Sequence, residues 1–229
     1  MTGTWLIESK QFTDWKTNPN SFLWIYGIPG CGKTILSSTI IEDIIHHCSL
    51  NPALAVVYFY FDFNDIERQF HEKMIRSLIT QLSIQSESIP LVLESLFSSK
   101  MNGRQQPMAG ELLTTLRQMT RGFDETFIIL DALDECRDRE QLLASIDEIV
   151  RWKREGLHIL ATSRKEKDIE EGFEPLMNDK NKICIQSALV DNDIRSYIHE
   201  RLQTDRWLKK WKMQSTYIET MLMDKVDGM

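Results

Sequence analysis

Gly27-Ile28-Pro29-Gly30-Cys31-Gly32-Lys33-Thr34 decides the reading of this chain. It spells G-x-x-x-x-G-K-[ST], the pattern of a loop that cradles phosphate groups. Glycines let a backbone take positive φ and approach a ligand without a Cβ in the way. Successive amide N–H groups then point into one concave nest that holds anionic oxygens. Lys33 adds a point charge on a flexible stem, suited to β- and γ-phosphates, and Thr34 opens the next helix and offers a hydroxyl to Mg2+. That helix's N-terminus contributes further N–H groups and the positive end of its dipole. The apolar run Ser21-Phe22-Leu23-Trp24-Ile25-Tyr26 precedes the loop, and apolar residues at 36, 40, 41, 44 and 45 follow it. Strand, glycine loop, helix is the context such a loop requires. All eight residues are therefore candidate nucleotide contacts, and Thr34 is a candidate metal contact as well.

Outward from the loop, strands alternate with helices. Trp5 to Trp15 reads as a short helix ended by the turn Asn18-Pro19-Asn20. Ala53 to Phe63 is a second strand, too uniformly apolar to be half-exposed. Ile66, Phe70, Met74, Ile75, Leu78, Ile79 and Leu82 mark one amphipathic helix. Pro90 opens a second over Leu91 to Leu96, and Leu112, Leu113, Leu116 and Met119 mark a third, closed by Gly122. Phe127-Ile128-Ile129-Leu130 is a third strand ending at Asp131. A helix through Leu142, Ile146 and Ile149 follows, with Gly156 expected at its C′ position. Leu157 to Thr162 and Lys182 to Ile185 supply two more strands. The pattern predicts an α/β fold, a parallel sheet covered by helices on both faces. From Asp191 the chain reads as all-helical, with apolar markers at Ile194 to Leu202, at Trp207, Leu208 and Trp211, and at Ile218 to Val226.

A chain of 229 residues can bury one sizeable core with an appendage. Its net charge of -7 argues against a protein whose main task is gripping nucleic acid. Two basic-aromatic runs, at 151–154 and 209–212, are expected to be solvated helix faces with a buried tryptophan. Cys31, Cys48, Cys136 and Cys184 show no C-x-x-C pair, which fits reduced thiols in a cytoplasmic protein. His46-His47-Cys48 reads as a polar helix end rather than a metal site. No apolar run approaches the roughly 20 residues that span a bilayer.

The second half of the site lies at the ends of later strands. Asp131, where a buried strand emerges, is placed to orient Mg2+. Asp134 and Glu135 lie about one turn further on, where a carboxylate can position or deprotonate a water; Glu135 is favoured for its longer reach. Three carboxylates within five residues repel one another unless a cation or a positive side chain sits among them, and a Mg2+-nucleotide is the obvious compensation. Arg164, after Thr162-Ser163 at the end of the fourth strand, is placed to reach a γ-phosphate, since parallel sheets bind ligands outside the carboxyl ends of their strands.

GIPGCGKT, FIILDALDE and ILATSR together resemble the NACHT domains of STAND-class P-loop NTPases, most of all those of fungal NOD-like receptors. The opening GTWLIES and the segments YFYFDFND and DKVDGM are similar to that group too, so the likeness runs along the whole chain. A small residue after the strand-end aspartate, then a hydrophobic and two acids, is the distinctive feature: here Ala132, Leu133, Asp134 and Glu135. The resemblance implies strand order 5-1-4-3-2 and a helical lid. It divides the chain into an N-terminal helical segment (1–20), a NACHT core (21–187) and an incomplete lid (188–229). It further implies a slow NTPase switch using Mg2+ with ATP or ADP, effector and repeat sensor domains elsewhere in a parent chain, and assembly with other copies to drive cell-death or innate immune signalling. The catalytic set would be Glu135, Asp134 and Lys33. Asn181-Lys182-Ile183-Cys184 lacks the aspartate of the Asn-Lys-x-Asp element that reads guanine, which favours ATP with GTP still possible. The competing functions are a conventional P-loop ATPase or kinase acting on a separate substrate, and a scaffold that binds nucleotide without turnover.

Overall fold

The structure, a computed structural model, describes residues 3–177, 179–185 and 187–226. Five strands, β1 (Ser21–Tyr26), β2 (Leu54–Tyr60), β3 (Glu125–Asp131), β4 (Leu157–Ser163) and β5 (Lys182–Cys184), form one parallel sheet of order β2-β3-β4-β1-β5. This is the 5-1-4-3-2 order expected. The phosphate-loop strand thus lies inside the sheet, with β4 and β5 on its two sides.

Alternation along each strand sorts side chains into two cores. On one face Phe127 and Ile129 of β3 and Leu23 and Ile25 of β1 pack under α1 (Thr4–Ile7), α2 (Lys10–Thr17) and α3 (Lys33–Ser49). On the other, Ile128 and Leu130 meet Phe22 and Trp24, beneath α4 (His71–Gln85), α6 (Ala109–Thr120), α7 (Arg139–Arg151) and α8 (Lys167–Phe173). Helix α5 (Leu91–Ser99) leans on α6 from outside. Burial on both faces explains why these strands are apolar throughout instead of alternating with polar residues.

The outer edge of β2 is closed by side chains. Gln81 on α4 accepts the Tyr58 N–H (3.0 Å) and donates to the Tyr58 carbonyl (2.7 Å); Gln85 does the same for Val56 (3.1 and 2.9 Å). Two amides one helical turn apart match two strand residues spaced by two, so they stand in for a neighbouring strand.

Several boundaries differ from expectation. The N-terminal piece forms two helices, α1 and α2, because Ser9 caps the second by accepting the Phe12 N–H. Helix α4 starts at His71, not near Ile66, which lies exposed in a short 3-10 turn (Ile66–Arg68). Helix α7 ends at Arg151, and Lys153, with φ 50°, takes the left-handed position expected of Gly156. Gly156 serves a different need: a Cβ there would lie 1.9 Å from the Asp124 carbonyl oxygen.

After the sheet come α9 (Ser187–Thr204), which starts four residues before Asp191, a 3-10 stretch (Lys209–Gln214) and α10 (Ser215–Val226). Trp207 and Leu208 therefore fall in a turn, and Trp211 is 43% exposed rather than buried. Trp152, in the other basic-aromatic run, is half-buried. The closing Asp227-Gly228-Met229 lies outside the described residues.

Candidate functional site

The loop from Gly27 joins the end of β1 to α3. Gly30 (φ 78°) and Gly32 (φ 83°) are left-handed, and no atom stands within 4 Å of where a Cβ would go on either. Their requirement is conformational: only glycine takes this backbone readily. Gly27 is needed for space, since a Cβ would sit 2.5 Å from Cys31 Sγ and 3.2 Å from Ile185 Cβ. Lys33 Nζ donates to the carbonyls of Gly27 (3.0 Å) and Ile28 (2.9 Å), which keeps the ammonium over the loop. Ile28 and Pro29 are exposed, and the Cys31 thiol is buried and in no disulfide, its Sγ 3.7 Å from Lys33 Nζ.

Asp131 ends β3 and is 2% exposed. Its carboxylate accepts three hydroxyls: Thr34 Oγ1 on Oδ2 (2.8 Å), and Ser37 Oγ (2.5 Å) and Thr162 Oγ1 (2.6 Å) on Oδ1. A threonine hydroxyl that donates to a carboxylate has its oxygen lone pairs free for a cation. Thr34 and Asp131 therefore fit a divalent ion brought by a nucleotide, the aspartate acting at least through the hydroxyl it orients.

Ala132 then turns the chain with left-handed angles (φ 57°, ψ 51°), braced by its N–H donating to Thr162 Oγ1 (3.1 Å). A small residue suits this position because bulk raises the cost of left-handed backbone. The turn splays the following acids apart. Asp134, its side chain buried, accepts the Arg164 backbone N–H on Oδ1 (2.9 Å) and Arg164 Nε on Oδ2 (3.0 Å). Glu135 Oε2 accepts the Phe63 N–H at 3.0 Å. Burial pushes the Glu135 carboxyl above the usual carboxylate range; Asp134 and Asp62 push the same way, against the Phe63 N–H and Arg164.

The structure thus brings Lys33, Thr34, Asp131, Asp134, Glu135 and Arg164 to one end of the sheet. Of the two ways of relieving the carboxylates' repulsion, it shows the positive side chain, Arg164 on Asp134. It corrects the need for a Mg2+-nucleotide there, because Asp131 and Glu135 also have protein partners, hydroxyls and a backbone amide. Ser37 escaped the sequence reading and Thr162 was named there without a role, although both are polar residues at core positions of an apolar helix and strand. Beside the loop a cavity of about 510 Å3 separates Gly30, Gly32, Ile35 and Leu36 from Ile194 and Tyr197 of α9. The N-terminal segment ties to α9 through the Gly3 N–H, which donates to Asp193 Oδ2 at 2.7 Å.

A parallel sheet of this order, a glycine nest after β1 and a strand-end acid bonded to the loop's threonine define a P-loop NTPase of the NACHT type, a nucleotide-binding module. The chain belongs to the family described as Nephrocystin 3, N-terminal, whose model matches residues 1–164. It is 28% identical over 216 residues to the vegetative incompatibility protein HET-E-1 of Podospora anserina, covering 86% of this chain but only 15% of that protein. Among solved structures, the Aeropyrum pernix ORC1 protein in complex with DNA superposes with a TM-score of 0.51 at 15% identity, over 77% of this chain and 43% of that one. At such identity the likeness concerns the fold, and the DNA belongs to that protein. Among the described residues no helix is long and apolar enough to cross a membrane.

Proposed function

We propose that this chain is the nucleotide-switch module of a cytoplasmic NOD-like receptor. It binds Mg2+ with ATP or ADP, hydrolyses ATP slowly, and through the bound state controls assembly with other copies and cell-death or innate immune signalling. The observation that carries the proposal is the Thr34–Asp131 contact, which links the phosphate loop to a buried acid and so supports a site there for a nucleotide-bound cation. In this reading the nest and Lys33 hold the phosphates, and Asp131 holds the Thr34 hydroxyl in place. Arg164, anchored by Asp134, reports the γ-phosphate through the rest of its guanidinium. Glu135 orients the attacking water and receives its proton. The fungal relative's name supports a signalling output, and that protein's greater length supports effector and sensor parts elsewhere in a parent chain. ATP is favoured because the Asn181 amide donates to the Phe22 carbonyl (2.9 Å), a role in the sheet rather than in reading a base.

Glu135→Gln separates this switch from a scaffold without turnover. We expect phosphate release under single-turnover conditions to fall at least tenfold, about 1.4 kcal/mol, with Mg-ATP affinity within a few-fold of the parent. Hydrolysis at the parental rate would remove Glu135 from the mechanism and make Asp134 the next candidate. A conventional kinase would instead release little phosphate until an acceptor is supplied.

A further inference from the structure

Glu135 is held from outside its own loop. Its Oε2 accepts the N–H of Phe63, and the carbonyl of the same Phe63 accepts Gln69 Nε2 at 2.5 Å. The Gln69 carbonyl in turn accepts the Arg137 N–H at 2.8 Å, two residues beyond Glu135. These three bonds close a ring between the segment after β2 and the acidic turn after β3. Immediately beyond it, the His71 N–H and ring both bond to Asp138, fastening the same two segments again.

Packing does not explain how Phe63 is held, because the residue is 61% exposed. Its backbone is set by hydrogen bonds: the Gln69 amide on its carbonyl, and the flanking turn in which Asn64 N–H donates to Asp62 Oδ1 and Asp62 N–H to the Arg68 carbonyl. Gln69 itself is 3% exposed, and its Oε1 is buried with no hydrogen-bond partner. A buried amide with one end unsatisfied is unfavourable, and an apolar residue of the same length would fill the space at lower cost. What the glutamine adds is the donor on Phe63.

We propose that Gln69 is a positioning residue for Glu135: its amide fixes the Phe63 backbone, whose N–H fixes the Glu135 carboxylate. The inference rests on the reading of Glu135 as the water-orienting group. Gln69 touches neither nucleotide nor water in this account, and its whole effect passes through residue 63.

Gln69→Met keeps length and apolar volume but removes the donor. The first measurement needs no nucleotide: the Glu135 carboxyl is titrated by NMR in the 229-residue chain carrying 13C-labelled glutamate, with its signal assigned from Glu135→Gln. The groups acting on this carboxyl are Asp134, Asp62 and Arg164 besides the Phe63 N–H. With those three unchanged and the N–H loosened, the titration should move up by about half a unit or more. Phe63→Pro removes the same N–H without touching the buried glutamine and should reproduce the shift. The second measurement is single-turnover phosphate release in a double-mutant cycle. Gln69→Met should slow release at least threefold in the parent, add nothing in the Glu135→Gln background, and leave Mg-ATP affinity unchanged. A titration unmoved by Gln69→Met, whatever Phe63→Pro does, or equal slowing in both backgrounds, overturns the inference. If Glu135→Gln releases phosphate at the parental rate while the titration shifts as expected, the catalytic reading of Glu135 has failed and the link from Gln69 to its carboxylate stands.

Discussion

Asp131→Asn tests the centre of the site with little change of shape. In the parent, Oδ1 takes the Ser37 and Thr162 hydroxyls and Oδ2 takes Thr34. The asparagine oxygen can keep the first two partners, which leaves its NH2 facing Thr34. That group donates, so it occupies the lone pair through which Thr34 would meet a cation and turns the hydroxyl hydrogen outward. The loss is one charge-assisted hydrogen bond, about 1.5–3 kcal/mol, and Asp131 is 2% exposed, so water does little to soften it. At about 1.4 kcal/mol per decade this corresponds to a loss of roughly ten- to hundredfold in affinity. The loss should appear only with the metal. We expect titration with a fluorescent ATP analogue to show the full effect in excess Mg2+. In EDTA, where the glycine nest and Lys33 act alone, affinity should stay within about threefold of the parent, a difference of about 0.6 kcal/mol. Equal weakening with and without Mg2+ would mean that Asp131 braces the fold rather than the cation, and no weakening would refute the assignment altogether.

His158 gives the fold a pH dependence. Its ring stacks on Phe127 at 4.6 Å with Nε2 buried and unpartnered, and burial lowers its pKa from the ordinary value of 6.5. The unfolded chain therefore binds this proton more readily, so stability is complete above about pH 6.5 and declines as pH falls below it. In His158→Phe the urea midpoint should fall less steeply between pH 6.5 and 5; an identical slope would exclude His158 as a source. At the sheet edge, Gln81→Leu with Gln85→Leu leaves the outer N–H and C=O groups of Tyr58 and Val56 without their side-chain partners. Light scattering at increasing concentration should then show more association than in the parent, and unchanged scattering would mean the edge needs no such cover.

What was legible in the sequence and what was not divides along a physical line. The strands and the loop could be read because they depend on short-range signals, namely uniform apolar runs, a fixed glycine spacing and an acid at a strand end. The order of the strands, by contrast, is a matter of long-range pairing and was supplied by the family resemblance. Lys33 and Thr34 were placed by the loop motif, Asp131 by its position at the end of a buried strand, and Arg164 by the rule that parallel sheets bind ligands outside the carboxyl ends of their strands. Helix limits failed where a competing local bond won, as with Ser9 capping α2, or where Lys153 took a left-handed position that glycine usually fills. The fates of Asp134 and Glu135 were not legible, because they depend on one left-handed residue, Ala132, and on contacts to Arg164 and Phe63, 30 and 72 residues away. Yet Ser37, Gln69 and Thr162 share a mark visible without coordinates: each is a polar residue amid or bordering apolar periodicity, where burial is unfavourable unless a partner is supplied. In all three the partner belongs to the acidic strand end or to the backbone that holds it. A polar residue at a core position near a phosphate loop is thus a pointer to the acid it serves, and Gln69, the one buried with an oxygen still unpaired, points at Glu135 through Phe63.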